Sequence, residues 1–339
     1  MEEYITAVDD IKIAFYMVNH WSEPGEGPVP VQQPREADRI KQLAAASDLV
    51  FVITDELNPE GLICQSDLRS IDHVWWIIPG TAFGMEHRII VWLYHIWRIK
   101  QLYTDVIGEH LTRLDPYVAK PFYFDALLGT QKPHRLQVYQ SIQQSALGDR
   151  IIHSLGPNPG QELEHSMWHD PAFHVDPSWQ SLPGSNYRTL NQQMLVSGCY
   201  VQMPNALPIQ VYNQSAYSIV CETWYSNSAI MVTEKLAKAV IGRRLFVVFT
   251  GAGYLRFLRS EGFKTFGDVI DESYDDIEDD RQRWHAAFEQ VRELCAMDQA
   301  QVLARIRPTV DHNYLHVMNR DLEQPPFDKI TRLILDHVG

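Results

Sequence analysis

The stretch YSIVCETWYSNSAIMVTEKLAKAVIGRRLFVVFTGAG, from Tyr217 to Gly253, decides how this chain is read. Its apolar opening reads as a buried strand, and a polar loop carrying Glu222 follows. Thr233-Glu234-Lys235 then opens a helix, and a second apolar strand, Leu245 to Phe249, runs on to Gly251. Strand, helix and strand in this order make an α/β unit. The N–H groups and dipole of a helix start favour an anion. Lys235 adds a point charge suited to a diphosphate, and Glu234 beside it can accept two ribose hydroxyls. An ordinary surface helix capped by Thr233 accounts for the same letters without any ligand.

Upstream, short apolar runs alternate with helical patterns. Ile11 to Val18 reads as a strand, Glu36 to Ala46 as a helix, Asp48 to Ile53 as a second strand, and Val74 to Ile78 as a third closed by Pro79-Gly80. Met85 to Tyr103 carries apolar residues at helical spacing. The pattern restarts around Leu114-Asp115-Pro116. Pro121 to Leu128 is a strand, Gly129 to Pro133 a loop, Arg135 to Ala146 a helix, and Arg150 to Ser154 a further strand. Gly156 to Gly184 holds five prolines and reads as a long irregular insertion. Beyond about Asp275 the chain is mostly helical.

Interleaved strands and helices predict parallel sheets covered on both faces. A chain of 339 residues exceeds the usual single core. The expected class is therefore α/β with two domains, residues 1–116 and 117–310, and a helical tail over 311–339 returning toward the first. In such sheets ligands bind beyond the carboxyl ends of the strands. That marks the loops after Val18, Ile53, Ile78, Leu128 and Val220.

The formal net charge of -14 argues against a surface that coats DNA or anionic lipid, because such binding works by neutralising phosphates. No apolar stretch is long enough to span a bilayer; Ile89 to Ile96 contains His95. The opening MEEYITAVDD lacks the apolar run of a secretory signal. Cys64, Cys199, Cys221 and Cys295 show no C-x-x-C spacing. A cytoplasmic protein with reduced, mostly buried thiols and no membrane span is expected, which makes the Asn213-Gln214-Ser215 sequon a chance match.

Arg135 lies in GTQKPHR, a loop-to-helix junction just past a strand. A guanidinium fork there suits phosphate, with Lys132 and His134 enriching the positive field. An exposed basic turn is the plain alternative. Together with the Thr233-Glu234-Lys235 triplet, this segment resembles the donor-binding half of the alpha-1,3-fucosyltransferase family. That family has a GT-B fold, two Rossmann-like domains facing a central cleft. It carries a strand, a short loop with an Arg and a helix, like FYFDALLGTQKPHRLQVYQSI here. It then carries a strand ending in Glu-Asn-Ser and a Thr-Glu-Lys helix start. In this chain the strand ends in Cys221-Glu222-Thr223, and the triplet follows after nine residues.

The likeness extends upstream, where IKIAFYMVNHW resembles the family's first strand with its Asn-Trp-Trp end, and SDLVF its second. GFKTFGDVIDESYDD, residues 262–276, looks like a stretch found in phage and bacterial proteins with the same triplet. The resemblance implies that Glu234 holds the nucleotide ribose, that Lys235 and Arg135 hold the diphosphate, and that Glu222 sits at the edge of the same pocket. Thr223 replaces the motif's Asn, and Met231 stands where an aromatic is often found, so nucleobase and sugar stay open.

The implied chemistry is an inverting transfer of a sugar, fucose-like or another hexose or pentose. It moves from a nucleotide-diphosphate donor to a hydroxyl of a glycan or other acceptor. The nucleotide-sugar is a co-substrate, with no cofactor and no metal. A base removes the acceptor proton as the hydroxyl attacks the anomeric carbon, and the departing diphosphate gathers charge that Lys235, Arg135 and backbone amides stabilise.

The family's base is a Glu just after the third strand. Here that loop reads Pro79-Gly80-Thr81-Ala82-Phe83-Gly84-Met85-Glu86, so the catalytic carboxylate is displaced to Glu86 or supplied by Asp55 or Glu56. His20 and Trp21 follow a strand end and could line the acceptor side. Two other readings stand beside this one. The first is a phage-type transferase acting on modified DNA bases, in which nucleic acid enters only as acceptor. The second is a GT-B-like nucleotide-binding module that has lost its base.

His165, His169 and His174 lie in a proline-broken segment without a nearby cysteine, and read as packing or acceptor contacts more than as zinc ligands. Asp268 to Asp280, with eight carboxylates in thirteen residues, reads as a solvated helix start with Ser273-x-x-Asp276 as its capping box. Trp75 and Trp76 read as core or interdomain packing.

Overall fold

The computed structural model describes residues 2–18, 33–54, 66–129, 131–155, 180–181, 193–196 and 199–338. The chain divides into two compact units. One comprises Met1–Tyr94, Ser226–Val232 and Asp321–Gly339; the other comprises His95–Tyr225 and Thr233–Arg320. Both are α/β.

The first unit is built on a sheet in the order β1-β2-β3-β4-β6: β1 Glu2–Val8, β2 Ile11–Val18, β3 Leu49–Thr54, β4 Val74–Ile78 and β6 Ile89–Val91. β2, β3, β4 and β6 run parallel, while β1 folds back antiparallel on β2. The turn between them puts Asp9 and Asp10 at φ 48° and 70°, the left-handed pair that matches strand twist in a tight hairpin. Helical spacing over Met85 to Tyr103 yields a helix only from Tyr94. The branched trio Ile89-Ile90-Val91 instead pairs with β4, with Trp76 opposite Ile89, because a sheet edge rewards such residues more than a helix does.

Strands added in one direction place their crossovers on one face of a sheet. Helix α1, Gln33–Ala46, packs there on β2 and β3, and its Glu36 carboxylate accepts a hydrogen bond from the Tyr16 hydroxyl. A short helix α2, Ser66–Arg69, precedes β4. Side chains alternate along a strand, so Ile13, Leu49, Phe51, Ile77 and Ile90 face the other way. Their cover comes from the far end of the chain. Helix α10 (Gln324–Val338, numbered in chain order) lays Ile330, Leu333 and Ile334 on that face, and the Lys329 ammonium donates to the Ile89 carbonyl at 2.6 Å. Trp76 is fully buried in the sheet, and Trp75 lies under Lys329, 5.8 Å from its ammonium.

The turn after β4 is also a strand. β5, Gly80–Ala82, pairs antiparallel with Ala229–Met231 (β13 in chain order). The backbones approach so closely that a Cβ on Gly80 would lie 1.8 Å from the Ile230 carbonyl oxygen. Only glycine fits.

The second unit begins at His95, the second residue of helix α3, Tyr94–Gln101. Its main sheet has the order β14-β12-β7-β8, all parallel: β7 Phe122–Leu128, β8 Ile151–Leu155, β12 Ser215–Cys221 and β14 Phe246–Phe249. β9 Gln180–Ser181, β10 Gln193–Val196 and β11 Cys199–Gln202 form a separate antiparallel sheet. The chain adds β8 on one side of β7, then crosses over to add β12 and β14 on the other. Strand order therefore reverses between β7 and β12.

The helices that follow this reversal are α4 (Pro133–Gln144) after β7, α5 (Ile209–Gln214) before β12, and α6 (Glu234–Ile241) before β14. Beyond β14 come α7 (Tyr254–Ser260), α8 (Asp280–Ala296) and α9 (Gln299–Asn319), so the end of the chain is helical as expected. The two strands at the reversal are stapled by a buried ion pair. Arg244 donates to Asp125 on β7 at 2.6 Å and to the Ser215 and Ser218 hydroxyls on β12 at 2.8 Å. Its remaining hydrogens go to the carbonyls of Tyr212, Ser215 and Tyr217, and such full pairing is what makes a buried charge tolerable.

No helix among the described residues is long and apolar enough to cross a membrane.

Candidate functional site

A reversal of strand order leaves a crevice beyond the carboxyl ends of the two central strands, where open parallel sheets bind ligands. In the second unit those ends are Leu128 of β7 and Cys221 of β12. The loops that follow both are among those the parallel-sheet pattern marks.

After β7 the chain reaches α4, with Pro133 in its first turn, where a missing N–H costs nothing. Arg135 sits in that turn, 4% exposed. Its Nη2 lies 3.4 Å from the Cys221 carbonyl and 3.5 Å from that of Glu222, at the end of β12. Gly129 leaves the space it needs, since a Cβ there would come within 3.2 Å of Arg135 Nη1. Lys132 reaches the same loop and donates to the Thr223 carbonyl at 2.8 Å.

After β12, α6 opens as the sequence predicts. Thr233 is the N-cap, its hydroxyl accepting from the Lys235 N–H. Lys235 Nζ donates to Glu234 at 2.5 Å and to the hydroxyls of Thr223 at 3.2 Å and Thr233 at 3.3 Å. Both side chains stay reachable, 22% exposed for Lys235 and 18% for Glu234. Burial pushes the Glu234 carboxyl up, but the positive field of Lys235, His95 and Lys238, with the Lys235 hydrogen bond, outweighs it and holds the group well below the usual carboxylate range. Thr223 is the meeting point: Lys132 is on its carbonyl and Lys235 on its hydroxyl.

Glu222 belongs beneath this cluster instead of at its rim. It is fully buried and accepts from the Thr233 N–H at 3.1 Å, from the Thr233 hydroxyl, and from the Tyr254 hydroxyl at 2.6 Å. Its role is to locate the start of α6.

His134 does not add to the positive field expected of it. Burial, with Arg135 beside it, pushes its pKa well below the ordinary value; the ring stacks on Tyr225 at 5.0 Å and sits 2.9 Å from the Glu222 carbonyl. Burial likewise pushes the Cys221 thiol up to about 12, which leaves it inert.

No family model, curated protein or solved structure matches the chain.

Other candidates fall elsewhere. Glu86 lies in the first unit, exposed, in a single 3-10 turn after β5, where its carboxylate accepts from the Gly84 N–H at 3.0 Å. Glu56 and Asp55 lie outside the described residues, as do His20, Trp21, His165, His169 and His174. No group of three or more metal-ligating side chains occurs among the described residues.

The glycine-bearing turn after β14 is not an anion site. The Asp275 carboxylate already accepts the N–H groups of Leu255 and Arg256, each at 3.0 Å, at the start of α7. Within the acidic run, Asp271 and Asp279 provide the caps, accepting from the N–H groups of Ser273 and Gln282, and Ser273 does not.

Lys238 lies half-buried one turn along α6 from Glu234. Its signal was legible as the fourth residue after the acid in TEKLAK. Lys132, Arg135 and Lys235 are thus gathered at the end of β12, with the Glu234 carboxylate paired to Lys235.

Proposed function

We propose that the chain is an inverting glycosyltransferase of GT-B type that uses a nucleotide-diphosphate sugar, with the second unit as its donor-binding domain. The observation that carries this reading is the convergence on Thr223. Lys132 comes from the loop after β7, Lys235 from the helix after β12, and the two meet at the strand-order reversal where such folds bind nucleotides. Arg135 and Lys235 hold the diphosphate and gather its charge as it leaves. Glu234, kept ionised by its neighbours, accepts the ribose hydroxyls. Glu86 is the candidate general base within the described residues.

A thermal-shift screen against GDP-, UDP-, ADP- and CMP-linked sugars tests this. One class is expected to raise the unfolding midpoint, worth about 2.7 kcal/mol at a hundredfold excess over Kd. Arg135→Ala and Lys235→Ala are expected to remove the shift while the chain stays folded. Silence across the panel, or a shift that survives both substitutions, overturns the assignment.

A second reading, a nucleotide-binding module without transfer chemistry, is favoured by the segment after β4. Gly80–Ala82 is committed to its ladder with Ala229–Met231, and no carboxylate appears in it before Glu86. Donor hydrolysis that disappears in Glu86→Gln at unchanged donor affinity decides for the enzyme.

A further inference from the structure

Lys238 is an ammonium with no hydrogen bond or ion pair among the described residues, in a cluster where the neighbouring charges are committed. Lys132, Arg135 and Lys235 all have acceptors, and Glu234 has Lys235 at 2.5 Å. Among the described residues the Lys238 side chain makes no hydrogen bond and no ion pair, yet it is half-buried. Four residues after Glu234, it shares that residue's face of α6. Helical side chains lean back toward the N-terminus, which carries its ammonium over the first turn, toward the Glu234 carboxylate.

That placement matters once Lys235 moves. A diphosphate at the start of α6 competes with Glu234 for Lys235. A largely buried carboxylate that loses the ion pair it makes among the described residues is strongly disfavoured, and His95 and Lys238 are the positive neighbours left to it.

We propose that Lys238 is the replacement counter-ion of Glu234: when a diphosphate draws Lys235 away, Lys238 takes over the carboxylate and keeps it charged for the ribose hydroxyls. This rests on the donor-binding reading of the site. Lys238 is a positioning residue, acting through Glu234.

The exchange carries a proton with it. Burial pushes the Lys238 amine down to about 8 against the pull of Glu234 and Asp125, and Lys235 adds to the depression. Those three are the charges that face it among the described residues, two from its own helix and Asp125 from β7. β12 brings the un-ionised Cys221 thiol, and Asp311 of α9, which packs on α6, is taken by Tyr117, Arg243 and Arg307. When Lys235 leaves and Glu234 turns to Lys238, one repulsion falls and one attraction grows. Docking therefore raises the Lys238 pKa, and at alkaline pH a proton is taken up.

Calorimetry with UDP, GDP and ADP in turn, in buffers of different ionisation enthalpy, reads this directly. Wild type is expected to take up about half a proton per nucleotide at pH 8 and almost none at pH 6.5. Lys238→Arg, charged at every pH, should bind within about two-fold of wild type and take up none. Lys238→Gln should bind about ten-fold more weakly, the weight of one charge-assisted hydrogen bond, also without uptake. Uptake that persists in Lys238→Arg, or wild-type affinity in Lys238→Gln, overturns the proposal while leaving the donor site intact. If none of the three nucleotides binds wild type, the donor reading fails and this inference with it.

Discussion

Glu222 and Thr233 stand eleven residues apart, and one buried carboxylate joins them, accepting the Thr233 N–H at 3.1 Å and the Thr233 hydroxyl as well. Between them the chain leaves the second unit to add the strand Ala229–Met231 to the first, then returns. The Glu222 contact closes that excursion at the N-cap of α6. Glu234 and Lys235 thus owe their position to an acid that never meets solvent.

Removing that acid should cost more than an ordinary surface change. Glu222→Ala strips the acceptor from Thr233 and from the Tyr254 hydroxyl, all inside the fold. Buried groups left unpaired in this way cost about 3–5 kcal/mol in total. Urea denaturation followed by tryptophan fluorescence checks it, and a wild-type midpoint in Glu222→Ala would show that the network is dispensable. Glu222→Gln keeps one acceptor and the shape, and is expected to fall between the two.

The Thr233 cap and the placing of Glu234 and Lys235 at the helix start were legible because capping and charge at a helix terminus are local in sequence. The role of Glu222 was not. An acid in a polar loop looks the same whether it faces a ligand or the core, and here Tyr254, thirty-two residues on, turns it inward. His134 failed for a related reason, since its charge depends on burial that no neighbouring letter announces. Thr223 takes both lysines, Lys235 on its hydroxyl and Lys132 on its carbonyl, a convergence that no single stretch of sequence announces. In the first unit, three-residue strands such as β5 and β6 are too short to show a period. The cover of the second sheet face comes from more than two hundred residues away, as the Lys329–Ile89 hydrogen bond shows.

That distant cover makes its own prediction. Ile330, 8% exposed, packs against the Phe51 and Ile77 face, and Ile330→Ala should cost about 2–4 kcal/mol through the cavity it leaves. Hydrogen exchange locates the loss. Amides of β2 and β3 should exchange faster, while those of β7 and β12 in the other unit keep their protection. Uniform acceleration in both sheets, or none in either, would contradict the assignment of α10 to the first unit's core.

The ion pair at the start of α6 fixes a direction for pH. In the fold, neighbouring cations hold the Glu234 carboxyl well below its usual range; in the unfolded chain it reverts to about 4.3. A carboxylate depressed by folding contributes stability that is fully present above the unfolded value and is lost as pH falls toward the folded one. Glu234→Gln should therefore be less stable than wild type at neutral pH, and the gap should narrow steadily below about pH 4. The group is 18% exposed, so solvent screening trims the size of the gap but not its sign. Paired denaturation curves from pH 7 to pH 3 measure it. A gap that stays constant over that range would assign the effect of Glu234→Gln to packing alone, and would remove the electrostatic ground for the ribose contact proposed for Glu234.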